Sequence, residues 1–298
     1  MSSTAGPGGV GVFSDGRHRL GEGPLWDARV RTLHWVDIVA GEVLSRTEGA
    51  GAARVTRVGA DVGCLGLTAE PDVLVAALRT GWHLLDLRTG ALRLLADPEP
   101  DRPSCRFNDG AVDPAGRFWS GTLEDDASGP DGRLHVLDGD GTYRTADGGF
   151  RCANGIDWSP DGRWMYVVDS GRDRVYRYAF DAATGALGTR EVLADTTALD
   201  GVPDGLRVDA AGDVWCAFWD GSHVTRFAPD GTVRERVDLP VRRPTSIAFG
   251  GPDLRTMFVT SATRGLSGGQ LARRPLSGAV LYREVAVPGL PAHHFAAA

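Results

Sequence analysis

The sequence predicts an all-β fold, a six-bladed β-propeller with a metal site in its central channel. Three observations lead there. Glycine is abundant, 41 of 298 residues, and punctuates short apolar runs instead of gathering into linkers. A segment made of a tight turn and then a strand with an aromatic recurs along the chain, and no stretch shows sustained helical periodicity. Three segments also place an oxygen-bearing side chain directly before a glycine.

The turn-strand segments come in order. "DARVRTLHWVD" starts at Asp27, "DPAGRFWSG" at Asp113, "SPDGRWMYVVD" at Ser159, "DAAGDVWCAFW" at Asp209 and "GPDLRTMFVT" at Gly251. Asp, Pro and Gly suit such turns because they accept or pre-set the required backbone angles. The aromatics are Trp35, Trp119, Tyr166, Trp215 and Phe258, separated by 84, 47, 49 and 43 residues. The first gap is about double the others, and its middle holds "AEPDVLVAALRTG", which has the same shape without the aromatic. Six units of roughly 40–50 residues match the period of propeller blades. Each unit runs on into alternating segments such as "GEVLSRT", "WHLLDLRT" and "RVYRYAFD", as half-buried antiparallel strands do. A generic β-sandwich is the plainer alternative; six similar units in series favour the ring. "GVGVFSD" near the N-terminus can supply a strand to the last blade and close it. Residues 1–298 are read as a single domain.

In a propeller the innermost strand of each blade lines the channel, and the loops at one mouth build the site. The segments before the turns are the candidates. They carry Glu22 in "LGEGPLW", Arg106, Asn108 and Asp109 in "RFNDGAV", Asn154 in "CANGIDW", Asp204 in "VPDGLRV", and Thr245 and Ser246 in "RPTSIAF". Glu22-Gly23, Asn154-Gly155 and Asp204-Gly205 stand in the same register, which aims three side chains at one axis. Two carboxylates and an amide carbonyl make an oxygen-rich cage for a divalent cation. Without a cation the carboxylates would repel and desolvate one another. The competing reading is turn chemistry, because Asn-Gly and Asp-Gly are the commonest hairpin turns. Three pairs in register, one of them the poor turn Glu-Gly, argue for a site.

Composition excludes several functions. A net charge of -7 gives no general attraction to phosphate backbones, so nucleic acid is not expected as a partner. All 32 basic residues are arginine, so neither a Schiff-base lysine nor a Walker-type phosphate loop is possible. The N-terminal "MSSTAGPGGVGVFSDG" lacks the pattern of a signal peptide, and no apolar run reaches membrane-spanning length. Cys64, Cys105, Cys152 and Cys216 are scattered and read as reduced. The expectation is a cytoplasmic monomer without membrane contact.

Weaker motifs are set aside. "GLSGG", Gly265 to Gly269, fits the pattern around hydrolase nucleophiles, but that pattern needs a following helix, which Pro275 argues against. "DGDGTYRTADGG" has Tyr143 where a calcium loop needs Gly, and reads as a hairpin turn. The seven histidines show no zinc-ligand spacing beyond adjacent His293 and His294. Trp219 and His223 lie near loop positions and could line a pocket.

"GEGPLWD", "RFNDGAVDPAGRFWSGTL", "ANGIDWSPDGRWMYVVDS", "PDGLRVDAAGDVWCAFWDG" and "PTSIAFGGPDLRTMFVTSA" together resemble the gluconolactonase/regucalcin (senescence marker protein) family of sugar lactonases, over nearly the whole chain. The resemblance implies a six-bladed propeller with one divalent ion held by Glu22, Asn154 and Asp204. Ca²⁺ is the favoured ion, and Zn²⁺, Mn²⁺, Mg²⁺ or Fe²⁺ accept the same oxygen ligands. It implies substrate contacts from Arg106 and Asn108, and from a carboxylate after "GTL", for which Glu124, Asp125 and Asp126 are the candidates. The expected activity is hydrolysis of an aldonolactone, gluconolactone-like, to the aldonic acid. The cation polarises the carbonyl, and Asp204, besides binding the ion, takes a proton from the attacking water. The alternatives are a calcium-binding regulatory or scaffold propeller without turnover, and a related propeller esterase or phosphotriesterase.

Overall fold

The computed structural model describes residues 9–125, Gly129 and residues 131–297. Its strands form antiparallel sheets in chain order, and each sheet is one blade. The inner strands of blades one to six are Gly21–Asp27, Val62–Thr68, Cys105–Val112, Ala153–Trp158, Val202–Val208 and Pro244–Gly250. Each touches the inner strands on either side, and that of blade six touches that of blade one, so the ring closes. Gly11–Ser14 pairs with Val280–Glu284 as the outermost strand of blade six, the closure expected from "GVGVFSD". No helix among the described residues is long and apolar enough to cross a membrane.

Apolar side chains collect in wedges between neighbouring blades. Val36 and Val43 of blade one meet Leu65 and Leu74 of blade two. Trp119 and Val136 of blade three meet Ile156 and Val167 of blade four. The last wedge joins Trp26 and Trp35 of blade one to Phe258 and Val280 of blade six. Blades two and three, four and five, and five and six share wedges of the same kind. Burying one large apolar side chain contributes about 1.5–3 kcal/mol, and here each such contribution needs two blades.

The recurring turn has a physical cause. Asp113 is fully buried. Its Oδ1 accepts from the backbone N–H of Ala115 and Arg117, and its Oδ2 from Trp119 Nε1 at 2.9 Å and from Arg117 Nε. Asp209 repeats this with Ala211, Asp213 and Trp215 Nε1, again at 2.9 Å. The turn aspartate and the strand tryptophan six residues later are thus one unit. In blade two the second strand has Val75 at the corresponding place, opposite Gly66, and Trp82 of the third strand, paired with Ala77, supplies the ring to the same wedge. That displacement is why the second repeat lacks its aromatic.

A second regularity positions the site. In all six blades the register between inner and second strand shifts near the start of the inner strand: between Glu22 and Leu25, Val62 and Cys64, Phe107 and Gly110, Asn154 and Ile156, Pro203 and Leu206, and Pro244 and Ile247. Such bulges re-aim side chains. The glycines after Asn154 and Asp204 lie in these bulges, where neighbouring strands nearly touch. A Cβ on Gly155 would sit 2.4 Å from Leu206 N, and one on Gly205 would sit 2.1 Å from Ser246 Oγ. Neither pair forms a hairpin turn.

Two expectations need correction or extension. Despite Pro275, a six-residue helix, Gly268–Arg273, follows "GLSGG"; it ends before the proline, and Ser267 Oγ is used as its N-cap, accepting from Gln270 N. At the far end of the channel the C-terminal segment crosses the ring, through Ala210 N to Pro288 O, Ala296 N to Gly116 O and a short parallel pairing of His294 and Phe295 with Leu67 and Thr68. It borders a cavity of about 460 Å³ at that end. The segment around Asp138 is a hairpin turn, as read, between strands Gly132–Leu137 and Tyr143–Phe150.

Asp113→Ala leaves a buried indole N–H and two backbone N–H groups without their acceptor. Urea denaturation is expected to show a loss of at least about 2 kcal/mol. Asp140→Ala, which removes comparable turn bonds to Thr142 at an exposed position, should cost no more than about 1 kcal/mol. Equal losses would show that burial of the turn aspartate is not what holds the blade.

Candidate active site

The end of the channel opposite the C-terminal segment opens into a cavity of about 550 Å³. Glu22, Arg106, Asn108, Asn154 and Asp204 all line it, from blades one, three, four and five. Each of the five is at most 8 % exposed. The bulges bring them together: each stands at or beside the register shift of its strand.

Glu22 and Asp204 are both held well above the ordinary carboxylate range. For Glu22 the chief cause is burial, followed by the charges of Asp204 and Asp109. For Asp204 it is burial and then Asp109, opposed by a hydrogen bond from Asn154. Asn154 Nδ2 donates to Asp204 Oδ1 and, at 3.1 Å, to Ser170 Oγ, while its Oδ1 accepts from Gly155 N. Deeper in the channel, Asp109 Oδ1 accepts from Gly110 N at 2.7 Å and Oδ2 has no partner. Burial raises its pKa as well, with Arg207 acting against the shift.

Repelling, dry carboxylates next to an amide are the donor chemistry of a hard divalent cation. Glu22, Asp204 and the Asn154 carbonyl fit that role, though no cluster of three His, Cys, Asp or Glu side chains arranged for a metal occurs among the described residues. The third donor is an amide, outside that set.

Arg106 is fixed from one side. Its Nη1 donates to Phe107 O at 2.9 Å and to Asn108 Oδ1 at 3.0 Å, and Asn108 Nδ2 donates to Ala153 O at 3.1 Å. Nε lies 3.9 Å from Asp125 Oδ1. Asn108 therefore holds the guanidinium from one side while it lines the cavity itself. Of the three acidic candidates after "GTL", Asp125 lines the cavity. Glu124 ends its strand, half-buried and away from the lining, and Asp126 lies outside the described residues.

Sequence reasoning did not single out Ser170, Asp173, Cys152 or Arg264, all of which line the cavity. They sit in the connections between strands, where neither periodicity nor repeat register marks them. Trp219 lines it, as suggested; His223 is fully buried and stacks on Phe218 at 4.6 Å instead. Cys152 is poorly placed to ionise. Burial, with the Asp204 charge, pushes its thiol up to about 12, and a protonated thiol is inert.

Comparison with known proteins bears on the whole chain. Residues 20–263 match the SMP-30/Gluconolactonase/LRE-like region. A 6-deoxy-6-sulfogluconolactonase of Pseudomonas putida is 40% identical over 271 residues, covering 91% of this chain and 92% of that protein. A pentonolactonase of Haloferax volcanii is 36% identical, covering 92% and 93%. The crystal structure of a calcium-binding protein, regucalcin, from Agrobacterium tumefaciens superposes with a TM-score of 0.93 at 31% identity, covering 98% of this chain and 99% of that one.

A raised carboxyl pKa carries stability that is complete below the ordinary carboxylate range and is lost as pH rises through the folded-state value, at about 1.4 kcal/mol per pH unit across that window. In metal-free protein, Glu22→Gln should therefore melt higher than wild type at pH 7, with the advantage vanishing toward pH 4. Saturating divalent cation should reverse the order, because the variant has lost a ligand. A metal-free Glu22→Gln protein that melts lower than wild type at pH 7 would contradict the electrostatic account.

Proposed function

The chain belongs to the SMP-30/gluconolactonase/LRE-like family, and from that premise we propose that it opens the ring ester of a sugar lactone with the help of one divalent cation. The observation that carries this reading is the convergence of Glu22, Asn154 and Asp204, with Arg106 beside them, in one cavity of sugar-sized volume. Relatives bearing sugar-lactonase names support the substrate class. A regucalcin described as calcium-binding supports Ca²⁺ as the ion to test first.

Glu22, Asn154 and Asp204 would hold the cation, which supplies Lewis-acid polarisation of the lactone carbonyl. The residues of the chain do the rest. Asp204 takes the proton of the attacking water, then delivers it to the ring oxygen as the ester opens. Asn154 and Ser170 fix its orientation through the amide bridge. Arg106 keeps Nε and Nη2 free of short hydrogen bonds and offers them to sugar oxygens; Asn108 holds it in that pose. Cavity walls of Leu20, Leu123, Val202, Pro203 and Trp219 give the apolar face of the sugar ring a surface to rest on.

The direct test is turnover of a lactone panel before and after exhaustive chelation, with Ca²⁺, Mg²⁺, Mn²⁺, Zn²⁺ and Fe²⁺ added back singly. Chelation should abolish activity and at least one ion restore it. Within that assay, Asp204→Asn at saturating metal should remain slower by at least about a hundredfold, since general-base assistance contributes on the order of 10²–10⁴. Asn154→Asp keeps an oxygen ligand and spares the base, and serves as the control. Full recovery of Asp204→Asn by excess metal would reduce Asp204 to a ligand only.

Arg106→Ala should leave metal content unchanged and lower kcat/KM by about tenfold or more, the worth of a charge-assisted hydrogen bond. Loss of metal with normal kinetics after resupply would place Arg106 in the cation site instead.

A further inference from the structure

Charges at the mouth of the cavity are unevenly settled. Asp125 pairs with Arg79 at 2.7 Å, and Asp220 with Arg243 at 2.9 Å and Arg242 at 3.1 Å. Arg264 also lines the cavity, is exposed, and makes neither a side-chain hydrogen bond nor an ion pair among the described residues. Arg19, equally exposed and equally unpaired, is its immediate neighbour, because Arg264 N donates to Arg19 O at 2.8 Å.

The backbone that carries Arg264 is held on both sides. Arg243 Nη1 donates to Arg264 O, and Thr263 donates to His18 O from both its N and its Oγ1 at 3.0 Å. Arg243 is itself braced by Asp220 and by Trp219, whose ring lies 4.6 Å away. The segment that carries Arg264 is thus fixed at the rim. The effect reaches the cavity: burial holds Arg106 below the ordinary arginine range, and the Arg264 charge adds to the shift. On the blade-four side of the same cavity Asp173, whose carboxylate has no partner among the described residues, stands with Arg151, Arg172 and Arg174.

We propose that Arg264 binds an anionic group on the substrate at the end remote from the lactone carbonyl, so that the preferred substrates are acidic sugar lactones with a sulfonate, phosphate or carboxylate on the terminal carbon. The proposal rests on the lactonase reading above. The depth of the groups sets the polarity: Glu22 and Asp204 are buried at the floor, where the ester must lie, while Arg264 stands in solvent at the rim. A guanidinium fork matches the paired oxygens of these anions.

The test compares kcat/KM at saturating divalent cation for glucono-1,5-lactone and its 6-phosphate, 6-sulfonate and C6-carboxylate counterparts, in wild type, Arg264→Ala and Arg264→Lys. The wild-type ratio of anionic to neutral lactone should exceed unity and fall with added salt. Arg264→Ala should lower that ratio by about ten- to a hundredfold, with Lys restoring part of it; the anion with the largest ratio identifies the substrate chemistry. An unchanged ratio in Arg264→Ala, or a wild-type preference for the neutral lactone, overturns the proposal while leaving the lactonase reading intact. If no lactone is opened under any metal, the lactonase reading falls. The rim is then judged by calorimetry with 6-phosphogluconate against gluconate, where equal affinity overturns it and a preference lost in Arg264→Ala supports it.

Discussion

A four-stranded blade has two apolar faces and nothing of its own to cover them. Every wedge of the core in this protein is shared between two blades, including the one between blade six and blade one. Ring closure is therefore the constraint on which the remainder depends. It is made by the N-terminal strand Gly11–Ser14 adding to the last blade, and by Thr245 Oγ1 donating to Gly21 O at 2.6 Å across the seam. Once the ring is closed, six inner strands must converge on one axis, and side chains there have no freedom to avoid one another.

Convergence explains the electrostatics of the site. Glu22, Asp109 and Asp204 come from different blades, yet Asp109 burdens both of the others and Asp204 burdens Glu22. Charges buried in this way destabilise a fold unless something binds them. The structure concentrates that cost in one place, at bulges that interrupt regular pairing in every blade. Stability is recovered elsewhere, in fully bonded turn aspartates such as Asp113 and Asp209, whose acceptors are all occupied. The same residue type thus serves two ends: satisfied at the back of the blade, under-satisfied at its front.

Much of this was readable in the chain because its causes are local. A turn aspartate and a tryptophan six residues later bond within one hairpin, so the repeat survives in sequence as "DPAGRFW" and "DAAGDVW". Blade two broke the pattern because its second strand carries Val75 there and Trp82 on the third strand brings the ring to the wedge, a substitution between strands that no single segment reveals. The polar-glycine pairs were legible as a set but ambiguous one by one. What decides between turn and channel is the neighbouring strand: Gly155 lies against Leu206 and Gly205 against Ser246, contacts between residues dozens of positions apart.

The sequence by itself determined the propeller, the order of its blades, the strand that closes it, and that Glu22, Arg106, Asn108, Asn154 and Asp204 face one channel mouth, because period, turn chemistry and register are properties of neighbouring residues. Only the tertiary structure decided that Asn108 braces Arg106, that Asp125 and not Glu124 borders the cavity, that the C-terminal segment crosses the far end, and that Arg264 stands at the mouth unpaired among the described residues. Those facts depend on which loops the closed ring sets side by side, and that adjacency is fixed by packing between blades, which no local pattern encodes.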